Sequence, residues 1–151
     1  MSKLIKKCYA IAKEFHKGQY DKGGHPYVEH VKAVAEKMST EETRAAALLH
    51  DILEDTECSA EDLLRMGIPE QIVQSVLLLT RVPEEDYEHY IRRLSQDPIA
   101  RKVKIGDLEH NMDLSRLPEV TQKDIDRVEK RYKKYYSLLK FRDEVEEELI
   151  R

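Results

Sequence analysis

The eleven residues Ala45-Ala46-Ala47-Leu48-Leu49-His50-Asp51-Ile52-Leu53-Glu54-Asp55 constrain this chain more than any other stretch. Ala and Leu favour helix, so the run predicts a buried helix whose last turns change abruptly from apolar to ionisable. At helical spacing His50 stacks with Glu54 and Asp51 with Asp55. The adjacent His50 and Asp51 diverge by about 100° and still reach one point beside the helix. Four proton- or metal-binding groups are thereby concentrated at the edge of a core. Such an edge is unfavourable unless something such as a cation compensates it.

Apolar residues recur at three- and four-residue spacing through the rest of the chain. Leu4, Cys8, Ile11, Ala12 and Phe15 predict a first helix from Ser2 to about Lys17, stopped by Gly18. A polar loop from Gln19 to His25 leads to Pro26, which opens a second helix with the stripe Val28, Val31, Val34, Ala35 and Met38 and with His30 at its edge. Ser39 with Glu42 predicts the capping box of the central helix, and Ser59 with Asp62 caps a short helix ending at Gly67. Pro69 starts another helix, Asp86 to Ser95 makes a shorter one, and Asp97-Pro98 opens a helix to about Leu114 on which Asp107 and Asn111 share a face. Thr121 to Asp124 caps a long last helix, about 121–150, whose end from Arg142 is almost wholly charged and is expected to fray. Its Tyr132, Tyr135 and Tyr136 suit either the core or a homodimer face. Alternating Val/Ile/Thr runs are almost missing, so the reading is all-α, a single helical-bundle domain over residues 1–151.

Charge and cysteine content bound the partners. With 26 Lys plus Arg against 30 Asp plus Glu, the net charge is −4, which predicts no general attraction to nucleic acid or to an anionic membrane. An anionic substrate must be met locally. Two cysteines, Cys8 and Cys58, suggest reduced thiols, and no apolar run reaches transmembrane length, so a soluble cytoplasmic protein is expected.

His30, His50, Asp51 and Asp107 come from three predicted helices, each at the border of an apolar stripe, and can be read as ligands of one divalent cation. Two imidazoles and two carboxylates suit Mn²⁺ or Fe²⁺ better than a structural zinc site. Such an ion could acidify a water and polarise a phosphoryl oxygen, with Glu54 or Asp55 taking or orienting the proton. Each residue also has a plainer reading. His30 suits a core histidine, Glu54-Asp55 a solvated helix end, and Asp107 with Asn111 an exposed polar face.

The order Gly24-His25-Pro26-Tyr27-Val28-Glu29-His30, then Ala47-Leu48-Leu49-His50-Asp51-Ile52-Leu53-Glu54-Asp55-Thr56, then Lys104-Ile105-Gly106-Asp107-Leu108-Glu109-His110-Asn111-Met112 closely resembles the HD-domain superfamily. The resemblance is to the hydrolase domain of RelA/SpoT-type enzymes and their small stand-alone relatives, over about residues 2–115. It implies an HD fold, a Mn²⁺ ion on His30, His50, Asp51 and Asp107, and Glu54 and Asp55 activating the attacking water. Zn²⁺, Co²⁺ and Ni²⁺ remain open as alternatives to Mn²⁺ and Fe²⁺. It also implies that Asn111 contacts the nucleotide sugar and that the 3′-pyrophosphate of guanosine tetra- or pentaphosphate is removed. Lys17, Lys22 and Lys104 are the candidate phosphate partners. Asp21 and Asp113 stand where the relatives usually carry Arg, which removes cations from the substrate side. The alternatives are another HD nucleotide phosphatase, acting on a nucleoside monophosphate or NADPH, or a nucleotide-sensing domain without turnover.

Overall fold

The periodicity becomes helix throughout the computed structural model, which describes residues 2–150. The helices are α1 (Lys3–Phe15), α2 (Tyr27–Glu36), α3 (Glu41–Leu49), α4 (Ile52–Asp55), α5 (Ala60–Arg65), α6 (Glu70–Leu78), α7 (Tyr87–Leu94), α8 (Pro98–Met112), α9 (Gln122–Arg127) and α10 (Lys133–Ile150). A 3₁₀ turn at Leu114–Arg116 follows α8, and a π-helical stretch at Val128–Tyr132 joins α9 to α10. No β-strand occurs among the described residues; Tyr20 and Pro26 form one isolated bridge. The all-α reading is therefore correct.

Helix α3 is the hub, packed by α1, α2, α6 and α8. Its Ala45, Ala46, Ala47, Leu48 and Leu49 are all buried. Three small residues in a row let the neighbouring helices approach closely, while the two leucines supply apolar area. Ser2 caps α1, its side chain accepting the Ile5 N–H at 3.1 Å. The box of α3 lies one residue beyond the expected Ser39 and Glu42: the Thr40 hydroxyl accepts the Thr43 N–H at 3.1 Å, and Thr43 Oγ1 accepts the Thr40 N–H at 3.3 Å. A β-branched hydroxyl pair does the work of the longer Glu side chain.

Two further expectations change. The charged end of the chain is tied down, because α10 is helical to Ile150 and reaches back to α8. Arg101 on α8 is only 1% exposed, and its Nε donates to Asp143 Oδ1 at 2.9 Å while Nη1 donates to the Ser95 carbonyl at 2.7 Å. Arg101 Nη2 also donates to Glu146, and Lys102 Nζ donates to Asp143 Oδ2 at 2.9 Å. The tyrosines of the proposed dimer face turn inward: Tyr135 is buried, and Tyr132 and Tyr136 pack against the core. Their spacing therefore marks core packing rather than an exposed seam.

Arg101→Ala removes the buried cation and leaves Asp143 with Lys102 as its remaining partner. The unfolding free energy should fall by about 3 kcal/mol, measured by urea denaturation. A loss below about 1 kcal/mol would place the pair among ordinary surface bridges.

Candidate metal centre

Three elements aim four side chains at one point. Helix α2 carries His30, the turn between α3 and α4 carries His50 and Asp51, and α8 carries Asp107. Gly106 packs closely on this side of α2, where a Cβ would stand 3.3 Å from Val34 Cγ1 and 2.7 Å from the flexible tip of Met38. Ligand-type atoms of His30, His50 and Asp107, all buried, lie within 4.8 Å of one another. His30 Nε2 is 2.9 Å from Asp107 Oδ1, and His50 Nε2 is 3.5 Å from the same oxygen. Asp51 joins at the edge, its Oδ2 3.0 Å from His50 Nε2 and 3.8 Å from His30 Nε2.

The continuous helix expected over 45–55 is broken at His50-Asp51, and the break has a chemical cause. The Ala47 carbonyl accepts both the His50 backbone N–H, at 3.4 Å, and the His50 ring, at 2.6 Å. A side chain that competes for a helical carbonyl offers the backbone an alternative to the ladder. As a result His50 and Asp51 point to the same centre, and Glu54 and Asp55 sit on a separate single turn.

This contact also decides what the centre can hold. A carbonyl only accepts, so His50 Nδ1 carries the proton, and in the neutral ring Nε2 is a lone pair. Nε2 is buried and makes no directed hydrogen bond, although it faces the Asp51 and Asp107 carboxylates. Lone pairs and anions converging in a buried space attract a cation. In its absence a proton serves. Burial alone would lower the His50 pKa, but the Asp51 and Asp107 carboxylates outweigh it and hold the ring well above the usual histidine range. Burial likewise works against ionised Asp51, yet His50 keeps it down to about 2. The donor set of two imidazoles and two carboxylates fits a divalent metal without sulfur.

A surrounding layer fixes these groups. The Tyr27 hydroxyl donates to Asp51 Oδ2. Lys104 Nζ, with its side chain only 12% exposed, donates to Asp107 Oδ2 at 2.9 Å. It is thus engaged by the centre rather than displayed on the surface. Asn111 Nδ2 donates to Asp107 Oδ1 at 3.1 Å. His110 Nδ1 lies 2.7 Å from His30 Nδ1, and burial together with His30 pushes the His110 pKa down to about 4.

Beside the centre opens a cavity of about 300 Å³ whose wall includes His30, Tyr27, Asn111, Lys22, Arg127 and Tyr132. Lys17 is exposed on the turn after α1 and is outside that lining among the described residues. Glu54 and Asp55 are outside it too, and Glu54 Oε1 accepts the Arg81 N–H at 2.8 Å. Asp21 Oδ1 accepts the N–H groups of Gly23 and His25, and Asp21 Oδ2 faces Arg116 Nη1 at 3.4 Å. Asp113 Oδ1 accepts the Ser115 N–H at 3.1 Å and caps the 3₁₀ turn. Arg116, Arg127 and Tyr132 were absent from the candidate residues because they follow the turn at Pro118 or flank it, where no local spacing links them to the centre. His110 had a readable signal: Lys104, Asp107 and His110 are three apart on one helical face.

The family model described as HD domain matches residues 8–104. The chain is 34% identical over 120 residues to a GTP pyrophosphokinase of Streptomyces coelicolor, covering 72% of this chain and 14% of that protein. It is 31% identical over 124 residues to the bifunctional (p)ppGpp synthase/hydrolase SpoT of Escherichia coli K12, covering 73% and 18%. Against a guanosine-3′,5′-bis(diphosphate) 3′-pyrophosphohydrolase of Aquifex aeolicus it is 34% identical over 116 residues, covering 68% and 16%. The chain thus spans 14% to 18% of the length of these curated relatives. A solved structure of a metazoan ortholog of SpoT, described as hydrolysing ppGpp and playing a role in starvation responses, superposes with a TM-score of 0.77 at 26% identity, covering 92% of this chain and 86% of that one.

Asp55 gives the site a pH signature. The residue is exposed as a whole, but desolvation of its carboxyl, then Asp51 and Glu54, raise its pKa to about 6. Between the unfolded carboxylate range and pH 6 the native state binds more protons, so this group's contribution to stability falls as pH rises through that window. With chelator present, Asp55→Asn should stabilise the protein at pH 7–8 by up to about 1 kcal/mol, solvent screening the exposed carboxylate, and by nothing at pH 4. Thermal melts at both pH values check this, and an equal gain at both would contradict it.

Proposed function

This chain belongs to the HD-domain family, and on that premise we propose that it is a metal-dependent phosphohydrolase acting on a nucleotide of the ppGpp type. One observation carries the reading: the buried His50 Nε2 lies 3.0 Å from Asp51 Oδ2 and 3.5 Å from Asp107 Oδ1, beside a cavity large enough for part of a nucleotide. The relatives, two of them named as ppGpp hydrolases, support the substrate class. His30, His50, Asp51 and Asp107 would hold the ion, with Mn²⁺ as the first candidate for this N/O donor set. A bound divalent cation supplies Lewis-acid stabilisation of a phosphoryl oxygen and acidifies water.

The chain's own residues do the rest. Tyr27 holds Asp51 by its hydroxyl, and Lys104 holds the outer oxygen of Asp107 so that Oδ1 faces the histidines. Asp55 stands on the single turn that follows His50-Asp51, where its carboxylate suits proton acceptance, and Glu54 braces the same turn through the Arg81 backbone. In the cavity, Asn111 reaches from the Asp107 side, while Lys22 and Arg127 offer cations to the phosphates. Tyr27 and Tyr132 present flat apolar faces on the same wall.

The test is a nucleotide panel containing ppGpp, NADPH and a nucleoside monophosphate, incubated with the Mn²⁺-loaded protein and with Asp51→Ala. Pyrophosphate released from ppGpp, reduced at least about a hundredfold by the substitution, is expected. Orthophosphate released from NADPH or the monophosphate instead would shift the reading to a nucleotide phosphatase. Tight ppGpp binding without any product would shift it to a sensing domain.

A further inference from the structure

We propose that His110 is a positioning residue that sets the tautomer of His30, so that His30 Nε2 rather than Nδ1 is available to a metal ion. The proposal rests on the reading of His30, His50, Asp51 and Asp107 as a cation site. His30 has both ring nitrogens in contact: Nε2 lies 2.9 Å from Asp107 Oδ1 and Nδ1 lies 2.7 Å from His110 Nδ1. A neutral imidazole has one proton for two nitrogens. If His110 donated, His30 would carry its proton on Nε2, directed at Asp107, and its lone pair would point away from the centre. If His30 donates, its proton sits on Nδ1 and the Nε2 lone pair faces Asp107, His50 and Asp51. A ligating histidine needs the second arrangement, and its outer nitrogen then needs an acceptor.

His110 is built to be that acceptor. It lies one turn beyond Asp107 on α8, so a single rigid helix delivers both a carboxylate and the group that orients the facing imidazole. The two rings are 4.8 Å apart at an interplanar angle of 34°, and His30 is 4% exposed, which leaves little room for water to replace the contact. A carbonyl in this place could only accept. An imidazole can do either, and an acceptor at Nδ1 must keep its own proton on Nε2. On the opposite wall His50 meets the same requirement through the Ala47 carbonyl. The two histidines are thus oriented by different means, one by its own helix and one by α8.

The experiment uses the full chain, with Mn²⁺ affinity read by isothermal titration calorimetry. His110→Phe keeps the ring shape and removes the acceptor, and His110→Asn keeps an acceptor oxygen near the Nδ1 position. Expected is a 10- to 100-fold loss of Mn²⁺ affinity in H110F, restored to within about threefold in H110N, with both metal-free proteins melting as the parent does. Equal affinity in H110F and parent overturns the proposal, as does an equal loss in H110N and H110F. A parent that binds no Mn²⁺ overturns the metal reading itself and this inference with it. Should H110F lose its cooperative melt, ¹⁵N NMR of the Zn²⁺-loaded parent decides. A proton on His30 Nδ1 and none on His110 Nδ1 supports the assignment, and the reverse overturns it.

Discussion

The bond from the His50 ring to the Ala47 carbonyl settles the character of the whole centre. It ends α3 at Leu49, two residues before Asp51, turns two side chains toward one point, and leaves a lone pair facing two carboxylates. Such an arrangement is costly in apolar surroundings unless positive charge is supplied. A proton supplies it in the metal-free protein, which is why His50 is held well above its ordinary range and Asp51 well below its own. A divalent cation held by the same residues would supply that charge in place of the proton.

The scaffold around this bond is arranged to keep the four groups from relaxing apart. Small residues in α3 let helices come close enough for the side chains to meet, and Gly106 packs closely on α2. Tyr27, Lys104 and His110 then occupy the outward atoms of Asp51, Asp107 and His30. The helix α8 that delivers Asp107, Lys104 and His110 is itself anchored by Arg101 to the charged end of α10. Residues far from the chemistry thereby bear on its geometry.

Much of this was legible in the sequence, and the exceptions are instructive. The all-α class followed from apolar spacing, and His30, His50 and Asp107 stood out because ionisable residues bordered apolar stripes. The helix break at His50-Asp51 was not legible, since a ring-to-carbonyl bond overrides the propensity of an Ala/Leu run. Arg142 onward reads as solvated until Arg101 is seen buried against Asp143. Asp21 and Asp113 read as lost cations, whereas in the fold each caps or braces a turn and Arg116 stands against Asp21. The cavity wall from Arg116 to Tyr132 depends on how the π-helical stretch after α9 returns to α8, a long-range contact without a local motif.

Anomalous diffraction at the manganese edge from crystals soaked in Mn²⁺ reads directly whether the four converging side chains hold one divalent cation. A single strong peak at bonding distance from His30 Nε2, His50 Nε2, Asp107 Oδ1 and Asp51 Oδ2 is expected. A peak elsewhere, or none while these side chains keep their convergent positions, would contradict it.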